Sequence, residues 1–362
     1  MNSLFFELLK VAIGYEGCLS KTPSEKEWLQ LYRMAEVQAL LGVCFAGVRK
    51  IEAQGQRPPE QLYYQWLAVA SQILQRNELV NRQCIEVQRQ IEEAGFRTFI
   101  MKGQGNAAIY ADDLTMLRQS GDIDIYLDGG FKRVMSFVNS TFPSKEVNEL
   151  EIHYHCLKDT EVEIHYHPSL MRNPVRNRKL QRFFEKEMEP CFANSVSLPN
   201  GIGNIHVPTL RFNLIHQMAH IYGHLFTLGI GLRQFMDYYY LLARGKKDGV
   251  RSYEPDLQQL GLAKFASAVM WVLGHVFGLE QSQMIVKPNE KDGRFLLEEV
   301  MEAGNFGRYD DRLSHGDVTK WQSFWRVTLR NLRLMRFNHW DWFWGPLWRI
   351  YHFMWRKING YK

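Results

Sequence analysis

The stretch that decides the fold of the middle of this chain is SGDIDIYLD, residues 120–128. Read as a β-strand, it places Asp122 and Asp124 on one face and two isoleucines on the other, because successive side chains of a strand alternate. Strands disfavour aspartate, and two neighbouring carboxylates repel each other. A strand that keeps both carboxylates on one face therefore requires something to balance their charge.

Length and composition are those of an ordinary globular protein. The chain has 362 residues, of which 46% are hydrophobic and 23% charged, enough for two or three packed units. Its five cysteines are odd in number and contain no CxxC pair, which favours reduced thiols over a disulfide framework or a structural zinc site. Residues 1–17 lack the features of a signal peptide, and no apolar run is long enough to span a membrane. We predict a cytoplasmic protein.

The C-terminal residues 321–362 have an unusual composition. They hold eight lysines and arginines against one aspartate, a net charge of +7, and seven of the ten tryptophans. The whole chain carries +5, so the rest sums to −2. One interpretation is a surface for an anionic partner, either nucleic acid or membrane head groups. The other is an amphipathic helical cap whose aromatic side chains pack while its arginines extend to solvent.

Periodicity divides the chain into three parts. Residues 1–92 and 171–362 show helical spacing, whereas residues 93–170 contain short apolar runs separated by turns. In the N-terminal part, a capping box at Ser24 and Glu27 starts one helix, and a long helix runs from Pro59 to Gly95. We therefore predict an α+β protein in which a small mixed-sheet core lies between two helical regions.

Two strands of the core are predicted to pair as a hairpin. The runs EIHYHCL (151–157) and VEIHYHP (162–168) flank a short polar connection. A turn at Asp159 and Thr160 would place His153 and His155 on the face opposite His165 and His167, so that no zinc site forms from all four.

The run KGQGNAA, residues 102–108, matches the dinucleotide-binding pattern G-x-G-x-x-A. The context does not fit, because the helix after the glycines is short and no further βα units follow. The carboxylates point to different chemistry. Nucleotidyl transfer needs divalent metals with oxygen ligands. Asp122 and Asp124 supply two acids, and Glu163 supplies a third on the neighbouring strand.

Three segments in order, MKGQGNAAIY, LRQSGDIDIYL and VEIHYHP, resemble a bacterial family of uncharacterised nucleotidyltransferases within the DNA polymerase β-like superfamily. LIHQMAHIYGH, LRQFMDYYYLL and EAGNFG are similar to later segments of that family, so that the resemblance covers about residues 60–310. It implies a nucleotidyltransferase core, two Mg²⁺ ions that Mn²⁺ can replace, and a nucleoside triphosphate substrate such as ATP.

The resemblance also implies roles for individual residues. Asp122, Asp124 and Glu163 would bind the metals, with Glu163 a candidate base for the incoming hydroxyl. The nucleotide would contact Lys102, Gly103, Gln104, Arg118, Ser120, Gly121 and His165. Gln104 departs from the family pattern, because a serine or glycine usually follows the first glycine; its backbone or its amide must take that place.

Alternatives remain open for several of these residues. The aspartate pair also fits a solvated edge strand, and Lys102 also fits a surface lysine. His216, His220 and His224 recur at helical spacing and either face the nucleotide or pack the helix on the sheet. Asp237 either pairs with Arg233 or reaches the cleft.

The function that we predict is transfer of a nucleoside monophosphate from a nucleoside triphosphate to a hydroxyl group, with release of pyrophosphate. The acceptor is a small molecule, a protein side chain or an RNA end. Two other classes remain: a catalytically degenerate nucleotide-binding protein, and an accessory protein of a membrane surface or of polysaccharide assembly.

Overall fold

The computed structural model describes residues 2–248, 253–310, 312 and 319–361. Its helices are α1 (Asn2–Ala12), α2 (Glu25–Val37), α3 (Leu41–Glu52), α4 (Glu60–Glu93), α5 (Gly103–Ala107), α6 (Gly130–Thr141), α7 (Pro174–Glu187), α8 (Leu210–Thr227), α9 (Leu232–Asp248), α10 (Glu254–Leu260), α11 (Ala263–Phe277), α12 (Glu290–Ala303), α13 (Lys320–Leu332) and α14 (His339–Asn359). Its strands are β1 (Thr98–Met101), β2 (Ile123–Leu127), β3 (Glu151–His153), β4 (Val162–His165), β5 (Ser195–Ser197) and β6 (Asn204–His206). The predicted α+β class is confirmed.

Local sequence signals set the ends of the N-terminal helices. The Ser24 hydroxyl accepts a hydrogen bond from the Glu27 backbone N–H, and the Glu27 carboxylate accepts one from the Ser24 backbone N–H, which is the predicted capping box. Helix α4 starts directly after Pro59 and ends before Gly95, whose φ of 83° suits glycine.

The central sheet is small and mixed. Its strand order is β1-β2-β4-β3, with β2 and β4 parallel and the two outer pairs antiparallel. Strands β3 and β4 form the predicted hairpin. The apolar side chains of β2 and β4, including Ile123, Ile125 and Ile164, are fully buried and pack against the second half of α4. This packing leaves the other face of the sheet for polar side chains.

A second, two-stranded sheet lies in the region that we predicted to be helical. Strands β5 and β6 pair antiparallel around Pro199, Asn200 and Gly201. Each strand has only three residues, too few for an alternating pattern to be recognised in the sequence. Ile205 of β6 is buried in the same core as the sheet residues.

Two hydrophobic cores hold the chain together. One combines helices from both ends of the sequence and includes Phe5 of α1, Trp66 of α4 and Phe265 of α11. The other lies under the sheet and includes Cys84 and Val87 of α4. Helix α4 therefore belongs to both cores and fixes the sheet to the helical part. The boundaries at 92 and 170 stay a prediction.

None of the helices in the described ranges is both long and apolar enough to cross a membrane.

Candidate active site

The register of the sheet brings acidic side chains of three strands together. Asp124 of β2 lies opposite Glu163 of the parallel strand β4, and Glu163 lies opposite His153 of β3. Paired residues of neighbouring strands point to the same face. The next position on that face pairs His165 with Glu151.

This register corrects the predicted arrangement of the histidines. Pairs such as His153 with Glu163 centre the β3–β4 connection on Lys158, one and a half residues before the predicted centre between Asp159 and Thr160. A displacement by an odd number of half residues reverses which side chains of the two strands share a face. His153 therefore shares a face with Glu163 and His165. The carboxylate of Glu161, at the exposed end of the connection, contacts the His153 ring.

Two groups of potential metal ligands result. The donor atoms of Asp124, Glu163 and His165 lie within 4.8 Å of one another, as do those of Glu151, His153 and Glu163. Glu163 belongs to both groups. Asp122, which directly precedes β2, is outside both, although its carboxylate is close enough to Asp124 for their repulsion to raise the pKa of Asp122.

His165 is completely buried behind these carboxylates. Its Nε2 atom lies 2.9 Å from Oδ1 of Asp124, 3.4 Å from Glu151 and 3.8 Å from Glu163. Burial would lower the pKa of His165, but the hydrogen bond to Asp124 and the nearby carboxylate of Glu163 raise it to about 9. A protonated His165 thus holds the carboxylates together.

Lys102 supplies a second positive charge to this face. Its Nζ atom lies 2.5 Å from Oδ1 of Asp124. Burial by itself would lower the pKa of Lys102, but Asp124 and Glu163 raise it. The residue has a left-handed φ of 47°, which is uncommon for a side chain other than glycine. Together with Gly103 at φ 35°, it makes the sharp turn from β1 into α5.

The same charges act on the acids. Burial would raise the pKa of Asp124, but Lys102 and His165 lower it. Glu163 lies farther from its nearby cation, with Oε2 3.8 Å from Nε2 of His165: burial, with repulsion from Asp124 and Glu151, raises its pKa to about 7 although His165 opposes this. The two acids on neighbouring strands therefore differ in basicity.

The predicted site residues divide into two sets. Those that line one cavity of about 780 Å³ are Lys102, Gly103, Arg118, Gly121, Asp122, Asp124 and Glu163. Three others are not part of its lining. His165 lies beneath Asp124, the Ser120 hydroxyl is buried with no partner in the described part of the chain, and the Gln104 amide donates to Asn77 and Asn81 of α4.

The position of Gln104 answers the question raised by its departure from the family pattern. Its side chain is 3% exposed and ties α5 to α4, away from the cavity. Only its backbone is therefore available at the turn after β1. Helix α5 has five residues, so its dipole contributes little to binding a phosphate.

Arg118 is held by an acid from the C-terminal part of the chain. Its Nε and Nη2 atoms lie 2.7 and 2.8 Å from the two oxygens of Asp237 on α9, and the Tyr110 hydroxyl donates to the same carboxylate at 2.7 Å. All three side chains are buried. Of the two alternatives for Asp237, the second is correct, because the residue lines the cavity; its cation is Arg118 and not Arg233.

Arg233 is a cavity residue that we did not include in the predicted site. Its Nη1 atom donates to the backbone oxygen of Gln119 at 2.8 Å, and its Nε atom is buried with no partner among the described residues. Burial, followed by repulsion from Arg118, lowers its pKa to about 10. The sequence signal was its place in LRQFMDYYYLL, one helical turn before Asp237.

Helix α8 forms the wall opposite the sheet. Gln217, His220 and His224 line the cavity, whereas the Nε2–H group of His216 donates a hydrogen bond at 3.0 Å to the backbone oxygen of Pro168. The histidine stripe is therefore divided: His220 and His224 lie where a bound nucleotide could meet them, and His216 packs the helix on the chain after β4. Burial, and then the charge of Lys102, lower the pKa of His216 to about 3 and that of His224 to about 4.

The C-terminal helix α14 closes the far side of the cavity. Trp348 and His352 line it, with their rings stacked at 5.0 Å. Asp341 accepts hydrogen bonds from Arg176, Tyr222 and Asn338 at 3.1, 2.7 and 2.7 Å. The side of α14 that faces the protein thus packs on it, in agreement with the interpretation of this region as an amphipathic helical cap.

The donor set fits a hard divalent cation. Asp124 and Glu163 present carboxylate oxygens to the cavity from adjacent strands, and Mg²⁺ and Mn²⁺ prefer oxygen ligands. His165 is hydrogen-bonded to Asp124, so it orients that carboxylate from behind. Asp122 and Asp124 would hold the ion from one strand and Glu163 from the next.

Comparison with known proteins agrees with this chemistry. A family model described as "Uncharacterised nucleotidyltransferase" matches residues 24–278, well over half of the chain. The match starts before the segment in which we recognised the resemblance and ends before EAGNFG, residues 302–307. No curated protein and no solved structure matches the chain. The matched residues include the whole sheet and both walls of the cavity formed by β2, β4 and α8. The chain belongs to the uncharacterised nucleotidyltransferase family.

Proposed function

We propose that the protein transfers a nucleoside monophosphate from a nucleoside triphosphate to a hydroxyl group and releases pyrophosphate. The observation that carries this proposal is the pairing of Asp124 with Glu163 across two parallel strands, on the floor of a cavity that also contains Lys102 and Gly103. Carboxylates on adjacent strands next to a glycine turn suit the binding of a metal–triphosphate complex.

In this reaction the hydroxyl oxygen of the acceptor attacks the α-phosphorus, and the bond from that phosphorus to the bridging oxygen of pyrophosphate breaks. Two Mg²⁺ ions, or Mn²⁺ in their place, would neutralise phosphate charge when bound to Asp122, Asp124 and Glu163. Glu163 is the residue that we assign to accept the hydroxyl proton, because its carboxylate reaches the cavity and, in the described part of the chain, forms an ion pair with His165 but with no lysine or arginine.

Cations of the chain would bind the triphosphate. Arg233 has an unpartnered Nε atom at the cavity, and guanidinium groups bind phosphate oxygens well. Lys102 contacts Asp124 and would exchange that contact for a phosphate oxygen once metal balances the aspartate. Arg118 keeps two of its nitrogens on Asp237, so that it contributes mainly through its remaining Nη1 edge and its charge.

The far part of the cavity is where the acceptor would bind. It is lined by Arg172, Tyr222, Phe226, Trp348 and His352. Arg172 stacks over Phe226 at 5.5 Å, and burial lowers its pKa to about 10. A wall of aromatic rings with one arginine suits a small acceptor that has hydroxyl groups and an anionic group.

The test is metal-dependent nucleotide binding and turnover. Titration calorimetry with each of the four ribonucleoside triphosphates and Mn²⁺ would compare wild type with Asp124→Asn and with Glu163→Gln. We expect Asp124→Asn to abolish metal-dependent binding, and Glu163→Gln to retain nucleotide binding while losing pyrophosphate release. Absence of metal-dependent binding in the wild-type protein would refute the proposal.

A nucleotide-binding protein without turnover is the second candidate. The observation that favours it is the Gln104 side chain, which is directed into α4 and so offers no donor to a phosphate where the family pattern has a serine or glycine. Binding of nucleotide and metal without pyrophosphate release, in the presence of a broad set of hydroxyl acceptors, would support this candidate over the enzyme.

A further inference from the structure

Helix α14 has two sides with different environments. Asp341, Gly345, Trp348 and His352 face the protein, and Trp355 packs on Phe131 at a ring distance of 6.1 Å. The other side carries a row of large apolar side chains that are exposed: Trp340, Phe343, Leu347, Ile350, Met354 and Ile358. Their spacing of three and four residues places them along one side of the helix.

This exposed row is unusual in extent. It runs from residue 340 to residue 358, about 27 Å along the helix axis, and Ile358 is 80% exposed. The adjacent helix α13 adds Trp321, which is 66% exposed, together with Trp325 and Leu329. Soluble monomers rarely present so many neighbouring large apolar side chains to water unless these bind something.

Charge indicates what covers the row. Residues 321–362 carry a net charge of +7, whereas the rest of the chain sums to −2. Three arginines of this segment pair with acids outside it, but its one acid, Asp341, is buried, and Arg326 and Lys357 are exposed. The exposed surface of α13 and α14 is therefore positive, and a symmetric dimer through this face would bring like charges together. Anionic lipid head groups complement the charge, and tryptophan and phenylalanine beside basic residues are typical of helices that lie in the bilayer interface.

We propose that α13 and α14 dock on the surface of an anionic lipid bilayer, with the exposed row of α14 inserted among the head groups. The helix lies in the plane of the membrane, in agreement with the lack of any described helix that could cross it. Lys357 is exposed next to Ile358 and would contact lipid phosphates.

Vesicle flotation of the full chain tests this proposal. We expect the wild type to float with vesicles of phosphatidylcholine and phosphatidylglycerol, to float much less with phosphatidylcholine alone, and to lose binding as salt is raised. The variant Trp340→Ser/Leu347→Ser/Ile358→Ser should bind at least about tenfold more weakly, since each side chain contributes apolar area.

The matched control is Leu67→Ser/Leu74→Ser/Leu79→Ser, which changes three exposed leucines of α4 and should float like the wild type. Equal flotation of both triple variants would refute the proposal. So would a wild type that stays unbound with anionic vesicles. A dimer in sedimentation analysis that the α14 variant abolishes, without flotation, would instead assign the row to contacts between copies.

A measurement on the wild type alone covers the case in which the variant folds poorly. Brominated acyl chains quench tryptophans that enter the bilayer interface. We expect strong quenching in anionic brominated vesicles and none from soluble bromide at the same concentration. Lack of lipid-specific quenching would overturn the proposal without any substitution.

Discussion

The ammonium group of Lys102 lies 2.5 Å from the carboxylate of Asp124, and both side chains are largely buried, with exposed fractions of 13% and 5%. Lys102 thus provides positive charge to the cluster of acids on the sheet. The conformation of the turn after β1 places it there, at the cost of a left-handed φ at a non-glycine residue.

Replacing Lys102 by methionine should make the fold depend more on divalent metal. Without the ammonium group, repulsion among Asp122, Asp124 and Glu163 is balanced mainly by His165, by Arg233 near Asp122 and by added cations. We expect a lower melting temperature in EDTA than for wild type, and a larger increase on addition of Mn²⁺. Differential scanning calorimetry with and without Mn²⁺ measures both.

Lys50→Met is the control for this variant, because Lys50 forms a surface ion pair with Asp113 in which both side chains are more than a third exposed. Its melting temperature should change little under either condition. An equal Mn²⁺ response in Lys102→Met and wild type would show that Lys102 does not balance the acids.

Removal of one partner of the Arg118–Asp237 pair should strongly destabilise the protein. Asp237→Asn leaves the buried guanidinium without its counter-charge, which typically costs about 3–5 kcal/mol of unfolding free energy. Chemical denaturation measures the loss. The double variant Arg118→Met/Asp237→Leu should recover most of it, while Glu93→Gln, at an exposed pair with Arg89, should cost less than about 0.5 kcal/mol. A loss in Asp237→Asn as small as in Glu93→Gln would contradict the assignment.

Gly42 of α3 should not tolerate a methyl group. A Cβ atom there would lie 2.3 Å from the backbone oxygen of Leu117, next to Arg118. We expect Gly42→Ala to lower the unfolding free energy by about 1–3 kcal/mol and to displace the loop that carries Arg118. Gly17→Ala, which meets no atom within 4 Å, is the control in the same denaturation experiment, and equal effects would contradict the close approach.

Acid should destabilise the protein through the histidines of α8. In the folded state the pKa of His224 is lowered to about 4 and that of His216 to about 3, against 6.5 in an unfolded chain. The unfolded state therefore binds more protons below pH 6.5, and stability is lost as pH falls from 6.5 towards 4. Burial and Lys102 lower the pKa of His224, and Arg233 adds to them, while Glu151 and Asp124 oppose them.

For His224 the expected loss between pH 7 and pH 5 is roughly 1–2 kcal/mol. Denaturation curves at both pH values should show that His224→Gln loses less stability on acidification than wild type by this amount. The surface variant His155→Gln serves as the control. Identical pH dependence in His224→Gln and wild type would mean that this imidazole does not stay neutral in the folded protein.

Strong local signals made much of the fold predictable from the sequence. The capping box at Ser24, the proline before α4, and the alternation in residues 122–127 each define one element by nearest-neighbour chemistry. Strands β5 and β6 were missed because three residues are too few to show a period. Sequence patterns also did not predict that both ends of the chain contribute to one core, since this depends on packing between distant helices.

The candidate site was predictable where its residues occupy strands with fixed parity. Asp124 and Glu163 fall on one face once their strands are adjacent. Arg233 and the wall of α14 come from helices far along the chain, and only the tertiary structure places them at the cavity. The histidine faces were assigned wrongly because the centre of the β3–β4 connection lies one and a half residues before the predicted position, and the sequence of that connection does not mark its centre.

The opposition of Asp124 and Glu163 across β2 and β4 has a consequence for how the chain folds. If β4 shifted by one residue, Glu163 would turn into the apolar layer beneath the sheet, and Ile164 would face the charged cavity. Such a pairing buries a carboxylate without a partner and is strongly disfavoured. The acids of the site therefore also favour the native strand alignment. Neutral replacements at both positions would reduce the free-energy difference between the native and the shifted alignment, even without substrate.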